Sequence, residues 1–241
     1  MTKAVIFSDF DGTITTKDSN DFLADKYGFG GEKRHELFAG VLEGNKSFRD
    51  AFGEMLNSIS APLDKCIETL VETIELDPGF KEMYEWAHFE GIPIIIVSSG
   101  MKPLIEAILK HHLDPKAVAN IDLVANDVHV EEDGSWKIVF RDKSPEGHDK
   151  SKTISHYKAR FANQEQPPMY FYCGDGVSDL SAARECDLLF AKEGKDLIKY
   201  CDKENVPYHV FSSFDDILKV TKLVIEEKHD IREFIDKASS S

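Results

Sequence analysis

Asp9 and Asp11 stand two residues apart in the stretch Ser8-Asp9-Phe10-Asp11-Gly12-Thr13. They follow Ala4-Val5-Ile6-Phe7, a short apolar run that reads as a buried strand stopped by Gly12. Side chains two apart on a strand point the same way, so both carboxylates leave the strand end together. Ionising both at close range is costly. A divalent cation removes that cost, and Mg²⁺ prefers carboxylates together with phosphate oxygens and water. Asp-Gly alone is a turn signal. A second acidic glycine turn, Gly174-Asp175-Gly176 with Asp179 close behind, moves the reading toward a cation and phosphate site.

These residues need a scaffold that brings distant segments to one place. After the first strand comes a stretch of about sixty residues, 16–76, with helix signals and no strand signal. Asp18-Ser19-Asn20-Asp21 is rich in helix-capping residues, and Ser47-Phe48-Arg49-Asp50 has capping-box spacing. Phe48, Phe52, Met55, Leu56 and Ile59 then recur at helical spacing. Asp77 and Pro78 open a new helix, and further strands are expected at 92–97, 121–125, 169–173, 188–190 and 208–211. Val128-His129-Val130 and 136–140 form a hairpin around Asp133-Gly134. Residues 150–161 and 177–185 read as helices, and 238–241 as a frayed tail. Alternating strands and helices predict an α/β fold: a Rossmann-like parallel sheet flanked by helices. Three predicted strands end in small or acidic residues, at Asp9-x-Asp11, Ser98-Ser99-Gly100 and Asp175-Gly176-x-x-Asp179. In a parallel sheet such ends share one edge, where ligands bind. The plain extra length of 16–76 reads as a helical insertion, which divides the chain into a core of 1–15 and 77–241 and an inserted unit of 16–76.

At 241 residues, 41% apolar and 30% charged, the chain can bury a sizeable core. A formal net charge of −15 argues against a nucleic-acid or anionic membrane partner, and means that a phosphate site here needs local cations. Cys66, Cys173, Cys186 and Cys201 form no CxxC pair and read as free thiols of a reducing compartment. The N-terminus lacks a secretory pattern, and the longest apolar run, 92–97, is far too short to span a membrane. A soluble protein of the cytoplasm is expected, with the nucleus as a second compartment.

In the order Asp9-Phe10-Asp11-Gly12-Thr13, Ser98 after a strand, Lys150 before a helix, and Gly174-Asp175-Gly176-Val177-Ser178-Asp179, the chain resembles a phosphatase of the haloacid dehalogenase superfamily. The match runs from residue 5 to 190, and the segment 16–76 resembles the cap which that superfamily inserts after its first strand. Within it the chain resembles the branch of phosphoserine phosphatase and the methionine-salvage ketopentenyl-phosphate phosphatase, with Ile96 to Met101 and Asp149-Lys150-Ser151 closer to the latter. The resemblance implies that Asp9 is the nucleophile, giving an aspartyl-phosphate, and that Asp11 is the acid and then the base. It implies Mg²⁺ held by Asp9, the backbone carbonyl of Asp11 and Asp175, with Asp179 behind them or bound through water. Ser98 and the amide of Ser99 would take phosphate oxygens, and Lys150 would face the nucleophile. Lys152 is a competitor, and Ile154 four residues on favours Lys150 by the family spacing; without the family match Lys150 reads equally well as a surface lysine.

The expected partner is a small phosphomonoester, and a sugar or polyol phosphate leads. Phosphoserine phosphatases carry a cap glutamate and a cap arginine that grip the substrate. Here Asp18 aligns with the glutamate, and Met55 with the arginine, unless Arg49 supplies that cation. Methionine offers no donor, so a carboxylate tail would lose its partner, while Asp18 could accept hydrogen bonds from hydroxyls. Other classes consistent with the motifs are a phosphoserine or methionine-salvage phosphatase, a phosphotransferase or phosphomutase, and a binding module without turnover.

Overall fold

A computed structural model describes residues 2–235. The predicted tail at 238–241 lies outside them. The chain runs β1 (Ala4–Ser8), then four helices, α1 (Ser19–Tyr27), α2 (Gly31–Leu42), α3 (Phe48–Asn57) and α4 (Leu63–Thr73). There follow α5 (Phe80–Phe89), β2 (Ile94–Met101), α6 (Lys102–His112), α7 (Pro115–Asn120), β3 (Asp122–Val130) and β4 (Trp136–Val139). The rest comprises α8 (Lys150–Phe161), β5 (Met169–Gly174), α9 (Leu180–Ala183), β6 (Leu188–Lys192), α10 (Asp196–Glu204), β7 (His209–Phe211) and α11 (Phe214–Ile225).

The seven strands form one sheet in the order β4-β3-β2-β1-β5-β6-β7, parallel except for the β3–β4 pair. β1 is buried on both faces, as a central parallel strand must be. Its alternation sorts the core into two layers. Ala4 and Ile6 join Ile94, Ile96 and Phe171 on one face, while Val5 and Phe7 join Ile95, Val97 and Tyr172 on the other. This is the predicted α/β architecture, a mostly parallel sheet covered by helices. None of the helices among the described residues is long and apolar enough to cross a membrane.

The segments entering and leaving the four-helix stretch run side by side. Thr15 and Leu76 form an antiparallel bridge, with Thr16 N–H donating to the Glu75 carbonyl at 2.9 Å and Asp77 N–H to Ile14 at 2.7 Å.

Local differences from the sequence reading have physical causes. β2 continues through Ser98-Ser99-Gly100 to Met101 rather than stopping at Val97, because these small residues are buried and α6, with Pro103 in its first turn, starts only at Lys102. The predicted strands at 121–125 and 128–130 are one strand, β3, since no breaker separates them. The expected helix at 177–185 is a 3₁₀ turn, Val177–Asp179, followed by the single turn of α9. Asp77 does not cap α5, which begins at Phe80. Its carboxylate instead accepts from the N–H groups of Gly79 and Phe214, tying the starts of α5 and α11 together.

Candidate active site

β1, β2 and β5 are neighbours, and their C-terminal ends open on a cleft of about 300 Å³. Asp9, Asp11, Asp18, Ser98, Ser99 and Asp175 line it, so residues from four places in the sequence share one cavity.

Asp9 leaves β1 with its carboxylate 2.7 Å from Lys150 Nζ. The same ammonium lies 2.7 Å from Asp179 Oδ1, and Lys150 has no exposed surface. α8 places it there, with Asp149 capping the helix through Ser151 N–H. Lys152, its competitor in the sequence, is exposed and pairs with Asp149. Burial works against the Lys150 ammonium, but Asp179 and Asp9 outweigh it and hold the group above its ordinary pKa. Burial lifts Asp9 to about 7, with Lys150 pulling the other way and Asp179 adding to the rise.

Asp179 is fully buried and fully engaged. Its Oδ1 accepts from Lys150 and from the Tyr172 hydroxyl at 2.6 Å. Its Oδ2 accepts from the backbone N–H groups of Asp175 and Gly176, each at 3.0 Å. It therefore shapes the acidic turn that presents Asp175. Gly174 allows this approach, since a Cβ there would lie 2.6 Å from the Asp179 carboxylate. Gly12 does the same across the site: its φ is +77°, and a Cβ would fall 2.2 Å from Asp175 Oδ2.

One oxygen from each of Asp9, Asp175 and Asp179 lies within 4.8 Å of the others. Burial, reinforced by Asp9 and Asp179, keeps Asp175 well above the usual carboxylate range. The buried Asp9 and Asp179 share one buried ammonium, and the partly buried Asp175 has only Lys195, at 3.5 Å from a half-exposed position. This all-oxygen, excess-negative donor set suits a hard divalent cation such as Mg²⁺.

Asp11 is held differently. Ser19 N–H donates to Oδ1 at 2.8 Å, and Asn20 Nδ2 donates to Oδ2 at 2.9 Å. Burial, with the charges of Asp18 and Asp9 adding, holds its carboxyl well above the ordinary range, which suits a proton donor. Ser98 Oγ accepts from Gly100 N–H at 2.9 Å, leaving its own proton free for an anion in the cleft. Ser99 Oγ is buried without a partner.

Asp18 is the N-cap of α1, and its Oδ1 takes the N–H groups of Asn20 and Asp21. It still lines the cleft. Met55 does not. It shares a helical stripe with Phe48 and Phe52, which do line the cleft, but lies farther along α3 and is sealed in the apolar core. Met55 therefore offers nothing to a substrate, as expected of an apolar residue at that place. Arg49 is not the substitute: its guanidinium stacks 4.4 Å from the Phe140 ring and donates to the Asp142 carbonyl, beside a different groove.

The arginine in the cleft is Arg34, which the sequence reading missed. It bonds Asp21 at 2.6 Å and grips Asp25 with two nitrogens, at 2.9 and 3.0 Å. Asn20, Tyr172, His148 and Asn126 were missed too. His148 Nδ1 lies 2.7 Å from the Ser98 carbonyl, which can only accept, so Nδ1 carries the proton and Nε2 accepts from Thr153. Asn126 Nδ2 donates to the Ser99 carbonyl at 2.7 Å. Of these, Asn20 had a signal, its place just inside a predicted cap; the others come together only through the tertiary fold.

The haloacid dehalogenase-like hydrolase family matches residues 6–184. A polyol phosphate phosphatase of Saccharomyces cerevisiae is 53% identical, covering 98% of this chain and all of that one. A 2-hydroxy-3-keto-5-methylthiopentenyl-1-phosphate phosphatase of Lysinibacillus sphaericus is 27% identical over 94% of this chain and 97% of its own. In fold, a phosphoserine phosphatase solved as an analogue of its phospho-aspartyl intermediate aligns with TM-score 0.70 at 19% identity, over 91% of this chain and 99% of that one.

Proposed function

This chain belongs to the haloacid dehalogenase-like hydrolase family, and we propose that it is a magnesium-dependent phosphatase acting on small polyol phosphates. The observation that carries the chemistry is the pair of buried carboxylates with different partners: Asp9 against an ammonium, Asp11 against two N–H donors. Two like groups in unlike surroundings divide into nucleophile and acid. The substrate class rests on the 53% identity, end to end, with a polyol phosphate phosphatase.

Lys150 engages Asp9 Oδ1, which leaves Oδ2 for phosphorus. As Asp9 Oδ2 bonds to phosphorus, the ester P–O bond breaks, its electron pair stays on the alcohol oxygen, and Asp11 gives that oxygen its proton. Asp11, now a carboxylate, takes a proton from water; the resulting oxygen bonds to phosphorus and the P–O bond to Asp9 breaks. Inorganic phosphate leaves and both aspartates are restored. Ser98 Oγ–H and the Ser99 amide face the phosphoryl oxygens, and Lys150 offsets charge at the nucleophile. The carboxylates of Asp9 and Asp175 and the backbone carbonyl of Asp11 would hold Mg²⁺, while Asp179 orients Asp175 from behind. When bound, the cation neutralises phosphoryl charge that would otherwise repel Asp9.

The helical segment 16–76 serves as a cap on a core of 1–15 and 77–241. It carries Asp18, Asp21, Arg34, Phe48 and Phe52 into the cleft. Arg34 is the only arginine or lysine lining the cleft among the described residues, and two carboxylates already occupy it. That leaves little to bind the carboxylate of phosphoserine and favours an uncharged, hydroxylated tail.

A panel of phosphomonoesters, read as kcat/KM for phosphate release, tests the reading. Polyol phosphates should exceed phosphoserine, and activity should vanish in excess chelator and return with Mg²⁺. Phosphoserine as the best compound would overturn the substrate class, and full activity in chelator would overturn the metal.

A further inference from the structure

The side chain of Asn20 is almost wholly buried, at 3% exposure, yet half of its amide has no protein partner. Nδ2 donates to Asp11 Oδ2. With the proton of Asp11 directed to the ester oxygen of the substrate, Asp11 Oδ2 accepts from Nδ2, and the carbonyl end, Oδ1, is turned away from Asp11. Oδ1 is buried and lacks a hydrogen bond, while Asn20 itself lines the cleft. A buried acceptor left unmade is costly, and an occupant of the cleft that Asn20 lines would relieve that cost by donating to it.

The position of this acceptor restricts the occupant. Asp11 meets the ester oxygen of the substrate, and Asn20 Oδ1 sits one amide group away from the nitrogen touching Asp11. In a polyol phosphate, the hydroxyl on the carbon next to the esterified carbon lies within hydrogen-bond reach of the ester oxygen. That hydroxyl is the donor which can meet Oδ1 while the ester oxygen meets Asp11. Asp18 is less suited to this place, because its Oδ1 is taken by two helix N–H groups.

The surroundings keep room for the pair. Gly100 on β2 faces it: a Cβ there would lie 2.7 Å from Asp11 Oδ2 and 3.4 Å from Asn20 Nδ2. Any other residue at 100 would push into the Asp11–Asn20 contact.

We propose that Asn20 selects the substrate by accepting a hydrogen bond, through Oδ1, from the hydroxyl vicinal to the phosphate ester, while its Nδ2 holds Asp11. This rests on the reading of the chain as a polyol phosphate phosphatase and adds which hydroxyl is recognised, and by what. Selection and proton transfer then share one side chain, so a substrate without that hydroxyl binds without completing the polar network around the acid.

Two isomeric substrates isolate the contact: 1,2-propanediol 1-phosphate, which has the vicinal hydroxyl, and 1,3-propanediol monophosphate, which has it one carbon farther away. The wild-type enzyme should favour the first by about tenfold in kcat/KM, the worth of one good hydrogen bond in a buried site. Asn20→Ala should bring the ratio close to one and lower kcat for both. Asn20→Asp keeps an acceptor but loses the donor to Asp11, so it should retain the preference while kcat falls for both. A wild-type ratio near one overturns the proposal, as does an Asn20→Ala enzyme that keeps the full preference. If Asn20→Ala does not fold, the wild-type ratio and Asn20→Asp still decide. Phosphate release from neither isomer nor any other phosphomonoester would instead fail the phosphatase reading itself.

Discussion

Replacing Lys150 by Met should unfold the balance of charge at the bottom of the cleft. The substitution keeps the length of the stem and removes an ammonium that touches Asp9 and Asp179, each at 2.7 Å, with no exposed surface. Asp179 retains Tyr172 and two backbone N–H groups, whereas Asp9 loses its side-chain partner. Removing one member of a buried ion pair costs about 3–5 kcal/mol, because the remaining charge is stranded. For a chain of this size that corresponds to a fall in Tm of about 6–20 °C. The loss should also depend on pH. Burial already raises Asp9 to about 7 in the wild type against the pull of Lys150, and without that pull it rises further. A carboxyl with a raised folded pKa binds a proton that the unfolded chain has lost, so stability falls as pH rises and levels off above the folded pKa. In the wild type this contribution of Asp9 levels off near 7, while in the variant it continues to grow by roughly 1 kcal/mol per pH unit beyond it. Thermal unfolding in chelator, from pH 5 to 9, should therefore show a gap between the two proteins that widens above pH 7. A variant as stable as the wild type, or a gap of constant size, would refute the assignment of Lys150 as the buried counter-charge of Asp9.

Gly100→Ala should leave the fold in place but lower kcat by about 10- to 100-fold, the usual effect of a sub-ångström to ångström misplacement of a reacting group. Its Cβ would press on Asp11 Oδ2 at 2.7 Å, and native-like melting with native kcat would show that Asp11 does not need its present place. His148 should give the chain an acid-sensitive stability. Burial lowers its imidazole from 6.5 to about 4, so between those values the unfolded chain binds a proton that the folded chain does not. Stability should fall as pH falls through that window, by up to about 3 kcal/mol, and His148→Gln should remove this part of the slope in denaturant titrations from pH 7 to 4.

How far the site was readable depends on the kind of signal each residue leaves. Asp9, Asp11 and Asp175 are legible because a parallel sheet forces strand ends to one edge, and each sits in a glycine turn that ends an apolar run. The glycines themselves have a structural reason that a turn signal only hints at. Gly12 and Gly174 leave space for carboxylates from another strand or from the following turn, not merely freedom to bend. The extent of β2 was misjudged because Ser98, Ser99 and Gly100 look like a turn by composition, although burial keeps them in the sheet.

Met55 shows the limit of helical periodicity. Spacing gives the face of a helix but not the depth along its axis. Phe48 and Phe52 reach the cleft and Met55, on the same stripe, is in the core. The charge at the cap end of the cleft follows the same logic. Arg34 comes from α2, in a segment with no motif, and its two carboxylate partners lie nine and thirteen residues before it, on α1. Only the packing of α2 on α1 makes those three residues a unit. That unit, more than the identity of any single residue, bears on what the cleft can accept, because its cation is already paired inside the protein. On the proposed reading, a strongly acidic chain holds an anionic phosphoryl group beside the buried ammonium of Lys150, while the cap side of the cleft offers the rest of the substrate acceptors and, among the described residues, no unpaired cation.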